Sequence, residues 1–134
     1  MTTEDSQTPS RSGHAAPRIL IVEDDSLTRE FVSDLIESFG YPVAVAADGM
    51  KAMRMIDELP TIELIFTDIH MPSLDGLMLA DMVKLHRPKL KILYTTGGHH
   101  VGKVKAEAGI LHGNILPKPY RPEQLRQELE RLLE

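Results

Sequence analysis

The sequence predicts an α/β fold, a doubly wound (βα)5 arrangement in which helices cover both faces of a five-stranded parallel sheet. Short apolar runs rich in branched residues recur five times, as is typical of strands buried on both faces. Segments with apolar residues at helical spacing separate these runs. Strands and helices that alternate in this way form parallel sheets through right-handed crossovers. The predicted strands cover residues 18–22, 43–46, 62–67, 90–95 and 115–116.

The first predicted helix follows the first strand, with Ser26 as its N-cap and Gly40 just past its C-terminal end. Four apolar residues at every fourth position predict the face that this helix buries. These residues are Leu27, Phe31, Leu35 and Phe39.

The second predicted helix runs from about 49 to 59, with Asp48 as its cap and Pro60 after its end. Its inward residues are predicted to be Met53, Ile56 and Leu59. We interpret the methionines at positions 50, 53 and 55 as gap-filling core residues.

Three further helices complete the predicted pattern. One begins after the turn at Asp75-Gly76, runs to about His86 and is broken by Pro88. A short helix is predicted from about Val101 to Ala108, and the last begins at Pro122. Their apolar faces are Leu77, Ala80 and Val83 in the first of these, and Leu125, Leu129, Leu132 and Leu133 in the last.

Composition narrows the function classes. The 134 residues suffice for one domain, which we expect to span residues 17–134 after a disordered tail at 1–16. A net charge of −5 without a basic stripe argues against direct binding of nucleic acid or a membrane surface. No apolar run approaches the length of a membrane span. The absence of cysteine excludes thiolate chemistry and fits a cytoplasmic protein.

Charged and hydroxyl side chains stand where the predicted strands end. In an open α/β sheet, ligands bind beyond these carboxyl ends. Crowded carboxylates need a counter-charge, which Mg²⁺ supplies through oxygen ligands, and a lysine can hold an anion beside them. The set therefore suits phosphoryl transfer onto an aspartate. Its members are Glu23, Asp24 and Asp25 after the first strand, Asp68 after the third, Thr95 and Thr96 after the fourth, and Lys118 after the fifth.

Four motifs occur in a fixed order: Ile21-Val22-Glu23-Asp24-Asp25, Asp68-Ile69-His70-Met71-Pro72-Ser73-Leu74-Asp75-Gly76, Thr96-Gly97 and Lys118-Pro119-Tyr120. Together they resemble the motifs of response-regulator receiver domains, the CheY-like phosphoacceptors of two-component signalling. The resemblance covers about residues 17–134. It implies a flavodoxin-like sheet with the strand order 2-1-3-4-5.

The resemblance implies a role for each acidic residue. Asp68 is expected to be the phosphoacceptor. Asp24 and Asp68, with the backbone carbonyl of His70, are expected to bind Mg²⁺ directly. Glu23 is expected to act mainly through a metal-bound water, and Asp25 as an exposed acid at the helix start.

The resemblance also assigns the phosphoryl contacts. Thr96 is expected to bond the phosphoryl group, since Gly97 follows it, with Thr95 as the competing choice. Lys118 is expected to pair with Asp68 or with a phosphoryl oxygen. The Lys118-Pro119 peptide is expected to be cis.

Several positions depart from the family or stay open. Ile115 stands where the family often has a rotating Tyr or Phe, so output is expected through the loop after Thr96 instead. Tyr120 is assigned either to a partner-binding face or to packing on the last helix. His70 either shields the phosphoryl group, orients a water for hydrolysis, or has no role. His99-His100 lack further ligands at metal-binding spacing.

We therefore expect a receiver that takes a phosphoryl group from a sensor histidine kinase or a histidine phosphotransfer protein, and that is not a conventional enzyme. Because the chain ends with the last helix, we expect it to stand alone and to signal to a downstream protein effector. The alternatives are a phosphate shuttle or sink, and an interaction module that ignores phosphorylation. A small phosphohydrolase and an FMN-binding protein fit less well, the latter because the first loop is acidic.

Overall fold

The computed structural model describes residues 15–71, 74–97 and 114–134. Its five strands form one parallel sheet in the order β2-β1-β3-β4-β5, which confirms the predicted fold class and strand order. The strand ends differ from prediction by one or two residues, and β3 includes Asp68 as its last residue. The strands are β1 Ile19–Val22, β2 Val43–Ala46, β3 Leu64–Asp68, β4 Lys91–Thr96 and β5 Asn114–Pro117.

Four helices lie within the described residues. The helix predicted at 101–108 falls outside them, as do residues 1–14 of the predicted tail. No described helix is both long enough and apolar enough to cross a membrane. The helices are α1 Ser26–Ser38, α2 Gly49–Glu58, α3 Gly76–His86 and α4 Pro122–Leu133.

Each face of the sheet has its own apolar core. Successive strand residues project to opposite faces, so β1 contributes Ile19 and Ile21 to one core and Leu20 and Val22 to the other. The first core packs the sheet against α1 and α4, and the second packs it against α2 and α3. The sheet is therefore covered on both faces, as a doubly wound parallel sheet requires.

The N-cap of α1 differs from the prediction. Asp25, not Ser26, holds the cap position, and its Oδ2 accepts hydrogen bonds from Thr28 N at 2.8 Å and from Thr28 Oγ1 at 2.7 Å. Asp25 is exposed and lies at the helix start, as expected for it. The caps of α2 and α3 are Asp48 and Asp75, whose carboxylates accept from the backbone N–H three residues later, at positions 51 and 78.

The predicted buried face of α1 is wrong at its N-terminal end. Leu27 is 79% exposed and Phe31 is 62% exposed, whereas Val32 and Ile36 are buried. A helix has 3.6 residues per turn, so each i+4 step rotates by about 40° and the three steps of this series drift off the contact face. Leu35 and Phe39, at the other end of the series, pack against the core as predicted.

The methionines of α2 also divide between core and surface. Met55 is buried and Met53 packs at the edge of the core, as predicted. Met50 is 52% exposed, so its assignment to the core is wrong. It follows the buried Gly49 in the first turn of α2 and points away from the side of the helix that carries the buried residues.

Candidate functional site

The strand register brings three of the predicted site residues to one edge and one face of the sheet. Asp68 pairs with Thr95 across β3 and β4, and Thr95 pairs with Leu116 across β4 and β5. Paired residues project to the same face, and Lys118 lies two residues past Leu116. Asp68, Thr95 and Lys118 are therefore gathered on the face covered by α1 and α4.

Both oxygens of the Asp68 carboxylate are held. Lys118 Nζ lies 2.9 Å from Oδ2, and His70 N donates to Oδ1 at 3.0 Å. The Asp68 side chain is 12% exposed and that of Lys118 is 36% exposed, so the ion pair sits at the rim of the cleft. A carboxylate fixed at both oxygens and still open on its outer side can be reached by an incoming group.

Gly76 fixes the loop that leaves Asp68. Its N donates to Ile69 O at 2.9 Å, and a Cβ on Gly76 would lie 2.6 Å from the backbone oxygen of Asp68 and 3.0 Å from Ile69 Cα. Asp75-Gly76 was predicted as a turn and helix start, which the structure confirms. The close approach to Asp68 was not predicted, because it depends on how the loop closes in space. Pro72 and Ser73 of this loop lie outside the described residues.

Glu23 is the buried member of the acidic loop after β1. It is 7% exposed, and its Oε2 accepts from Asp25 N at 3.0 Å. Burial raises the pKa of the Glu23 carboxyl, and the charge of Asp68 and a side-chain hydrogen bond with Asp24 raise it further, against the opposing effects of the Asp25 N–H and Lys118. The cleft thus carries more negative charge than Lys118 alone balances.

Arg29 supports the acidic loop from α1. Its Nη1 donates to the carbonyl oxygen of Glu23 at 2.9 Å. The sequence analysis did not identify Arg29 as part of the site. A contact between residues six positions apart, across a strand end and a helix cap, leaves no periodic signal in the sequence.

The donor set fits Mg²⁺. Among the described residues, no three Asp, Glu, His or Cys side chains form a metal-binding group. Mg²⁺ does not need one, since it commonly uses one or two carboxylates and completes its shell with water and phosphate oxygens. Asp24 is exposed beside buried Glu23, and the raised pKa of Glu23 indicates a cleft in which a cation would be favourable.

The two hydroxyls at the end of β4 differ in position. Thr95 and Thr96 are both buried, and the Oγ1 atoms of both lack a hydrogen-bond partner within the described residues. Thr95 lines a cavity together with Asp68, Lys118 and Glu23, whereas Thr96 does not line it. Thr96 meets β5 through its backbone, where its carbonyl accepts from Lys118 N at 2.8 Å.

A sequence profile of the response regulator receiver domain matches residues 19–130. The chain belongs to this family. The receiver protein CpdR of Brucella abortus is 34% identical over 116 residues, which cover 87% of this chain and 96% of CpdR. The aerobic respiration control protein ArcA of Escherichia coli is 32% identical, and the matched region covers 87% of this chain but only 48% of ArcA.

Solved receiver structures share the fold. The chemotaxis protein CheY4 of Vibrio cholerae superposes with a TM-score of 0.78 at 28% identity, covering 88% of this chain and 99% of CheY4. The receiver domain of NtrX from Brucella abortus superposes with a TM-score of 0.79 at 26% identity, covering 86% of this chain and 97% of that domain.

Tyr120 packs inward in this receiver. Its ring meets Phe66 edge to face, with centroids 6.1 Å apart and an interplanar angle of 69°. Burial, reinforced by the charges of Glu23 and Asp68, raises the pKa of Tyr120 to about 12. Of the two roles predicted for Tyr120, the structure supports packing. The side chain packs on the core formed by β3 and α4, and it also lines the site cavity. The Lys118-Pro119 peptide is cis, as predicted.

Two further positions complete the comparison with the predicted site. Ile115, at the position of the family's rotating aromatic, is half-buried against the second core. His70 is exposed, and its backbone N–H donates to Asp68 Oδ1. Gly98, His99 and His100 lie outside the described residues.

Proposed function

We propose that this receiver accepts a phosphoryl group onto Asp68 from a phosphohistidine on a sensor histidine kinase or a histidine phosphotransfer protein. The observation that carries the proposal is the Asp68 carboxylate at a strand end, bonded to Lys118 at 2.9 Å and to His70 N at 3.0 Å. Such a carboxylate is positioned as a nucleophile before the donor arrives.

In the proposed step, an Asp68 carboxylate oxygen attacks phosphorus as the N–P bond of phosphohistidine breaks. The electron pair of that bond returns to the imidazole nitrogen, and Asp68 becomes an acyl phosphate. The Lys118 ammonium then moves from the carboxylate to a phosphoryl oxygen, because the negative charge now lies on the phosphoryl group. Thr96 ends β4 on the opposite face of the sheet, so we propose that its side chain shifts toward the phosphoryl group and donates its hydroxyl to another phosphoryl oxygen.

Mg²⁺ is the cofactor that we propose for this step. Asp24, Asp68 and the backbone carbonyl of His70 would hold it, with Glu23 acting through water. When bound, the ion would neutralise part of the negative charge on the phosphoryl oxygens. Arg29 keeps the acidic loop in place through its bond to Glu23 O.

We further propose that the acyl phosphate signals by shifting the population of a partner-binding surface, which a downstream protein effector recognises. The absence of cysteine supports a reducing compartment such as the cytoplasm.

The test is incubation of the full chain with Mg²⁺ and acetyl phosphate, followed by intact-mass spectrometry. We expect the wild type to gain one phosphoryl group and Asp68→Asn to gain none. Asp57→Asn is the matched control, because Asp57 is exposed near the C-terminal end of α2, outside the site, and should leave phosphorylation intact. A wild type that stays unmodified, or an Asp68→Asn variant that is modified equally, would contradict the proposal.

A further inference from the structure

Thr95 carries a buried hydroxyl to which the proposed function gives no role. The residue is 4% exposed, and its Oγ1 makes no hydrogen bond within the described part of the chain. A buried hydroxyl without a partner is unfavourable, so such a group in a folded protein requires an explanation. Its position beside the phosphoacceptor suggests that the partner belongs to another functional state.

The sheet fixes this hydroxyl next to Asp68. Thr95 is the β4 residue paired with Asp68, and neighbouring strands lie about 4.8 Å apart. Side chains of paired residues project to the same face, whereas Thr96 projects to the opposite one. The carbonyl of Thr95 also accepts from Ile69 N at 3.0 Å, which ties the backbone after Asp68 to β4.

The cavity limits the partners that Thr95 can have. Its volume is about 10 Å³, the size of a single water at most, and its polar lining includes Asp68, Lys118 and Glu23. Lys118 offers only donors and already bonds Asp68, and Glu23 already accepts from the backbone of Asp25. Asp68 is the acceptor in this lining whose bonding changes when a phosphoryl group is added.

We propose that Thr95 is a second hydroxyl of the phosphorylation site, donating to the carbonyl oxygen of the Asp68 acyl phosphate. The inference rests on the proposed phosphorylation of Asp68. Once phosphorus is bound, its charged oxygens draw Lys118 outward, and the carbonyl oxygen that remains beside Thr95 loses its ammonium partner. Thr95 then gains a hydrogen bond that it lacks in the unmodified protein, and so stabilises the phosphorylated state.

Binding of beryllofluoride with Mg²⁺, a mimic of the phosphoryl group, tests this inference on the full chain. Thr95→Val keeps the side-chain shape and removes the hydroxyl, and Thr95→Ser keeps the hydroxyl. We expect Thr95→Val to weaken beryllofluoride binding roughly three- to tenfold, as the loss of one hydrogen bond predicts, and Thr95→Ser to stay within about twofold of wild type. Thr95→Ala serves as a second variant without the hydroxyl.

Thermal unfolding of the unmodified variants supplies a second readout. Because the hydroxyl has no partner in that state, Thr95→Val should unfold at the same temperature as wild type or higher. Equal beryllofluoride affinity in wild type, Thr95→Val and Thr95→Ala would overturn the assignment of Thr95 and leave the proposed function standing. A wild type that binds no beryllofluoride and accepts no phosphoryl group would overturn both.

Discussion

Lys118 Nζ and Asp68 Oδ2 lie 2.9 Å apart although fifty residues separate them in the chain. The parallel register of β3, β4 and β5 brings them together, since both follow strand ends on the same face of the sheet. The ammonium holds the carboxylate in place and would lie beside a phosphoryl group attached to it.

Replacing Lys118 with Met should weaken beryllofluoride binding about 10- to 100-fold, the effect of losing a charge-assisted hydrogen bond. Isothermal titration with Mg²⁺ present measures the affinity. Lys89→Met is the matched control, since Lys89 is exposed and precedes β4 at the opposite end of the sheet. An unchanged affinity in Lys118→Met would show that the ion pair does not contribute to binding.

Replacing Gly76 with Ala should destabilise the protein by about 1–3 kcal/mol, the usual cost of overpacking a buried site. The added Cβ would lie 2.6 Å from the backbone oxygen of Asp68, so the backbone that carries the carboxylate must shift. We therefore also expect slower phosphorylation by acetyl phosphate. Denaturant unfolding and the rate of mass gain measure the two effects.

The control for Gly76 is Met78→Ala in the same first turns of α3. Met78 is 51% exposed, so its truncation should change stability by no more than about 0.5 kcal/mol and leave the rate unchanged. Wild-type behaviour of Gly76→Ala in both assays would mean that the loop adapts without moving Asp68.

Glu23→Gln should become more stable than the wild type as pH rises. Burial raises the pKa of Glu23 in the folded protein above its ordinary value of 4.5. Below pH 4.5 the carboxyl is therefore protonated in both the folded and the unfolded protein. As pH rises through this value, the unfolded chain ionises first, so wild-type stability falls until the raised folded pKa is passed. Unfolding free energies from pH 4 to 8, measured with EDTA, should show the difference growing with pH.

Glu63→Gln provides a control of opposite sign. Its bond to Arg18 lowers the pKa of Glu63 in the folded protein. The ionised Glu63 therefore stabilises the wild type above its ordinary pKa of 4.5, and this stabilisation is lost as pH falls. This variant should be the less stable protein at neutral pH. If Glu23→Gln followed the same trend as Glu63→Gln, the burial effect assigned to Glu23 would be wrong.

The corrected face of α1 predicts two contrasting substitutions. Ile36→Ala should cost about 2–5 kcal/mol, because Ile36 is fully buried against the sheet. Phe31→Ser should change stability by no more than about 0.5 kcal/mol, because Phe31 is 62% exposed. Urea unfolding measures both changes in stability. A large loss of stability in Phe31→Ser would show that Phe31 is part of the buried core.

Local patterns and the resemblance were sufficient for the sheet and for the meeting of Asp68 with Lys118. Apolar runs that end in charged residues located the strand ends, and the resemblance supplied the strand order. From these, Asp68 and Lys118 could be expected to meet, because the carboxyl ends of parallel strands share one edge. Asp48 was also correctly predicted as a cap, since an N-cap depends on residues three positions apart.

Contacts that depend on neighbouring elements could not be predicted in this way. The i+4 series on α1 does not show where the sheet begins to cover the helix, so Phe31 was misplaced. Met50 was misplaced because residue type alone does not show which side of α2 meets the core. Arg29 reaches Glu23 O only because α1 folds back over the strand end.

Asp68 and Thr95 separate what the sequence determines from what only the tertiary structure decides. The sequence by itself determined that a carboxylate ends β3 and that two adjacent threonines end β4. Only the tertiary structure decided which threonine lies beside the carboxylate, because alternate strand residues project to opposite faces and a shift of one residue in register would exchange them. The register observed here places Thr95, rather than Thr96, at the cavity with Asp68.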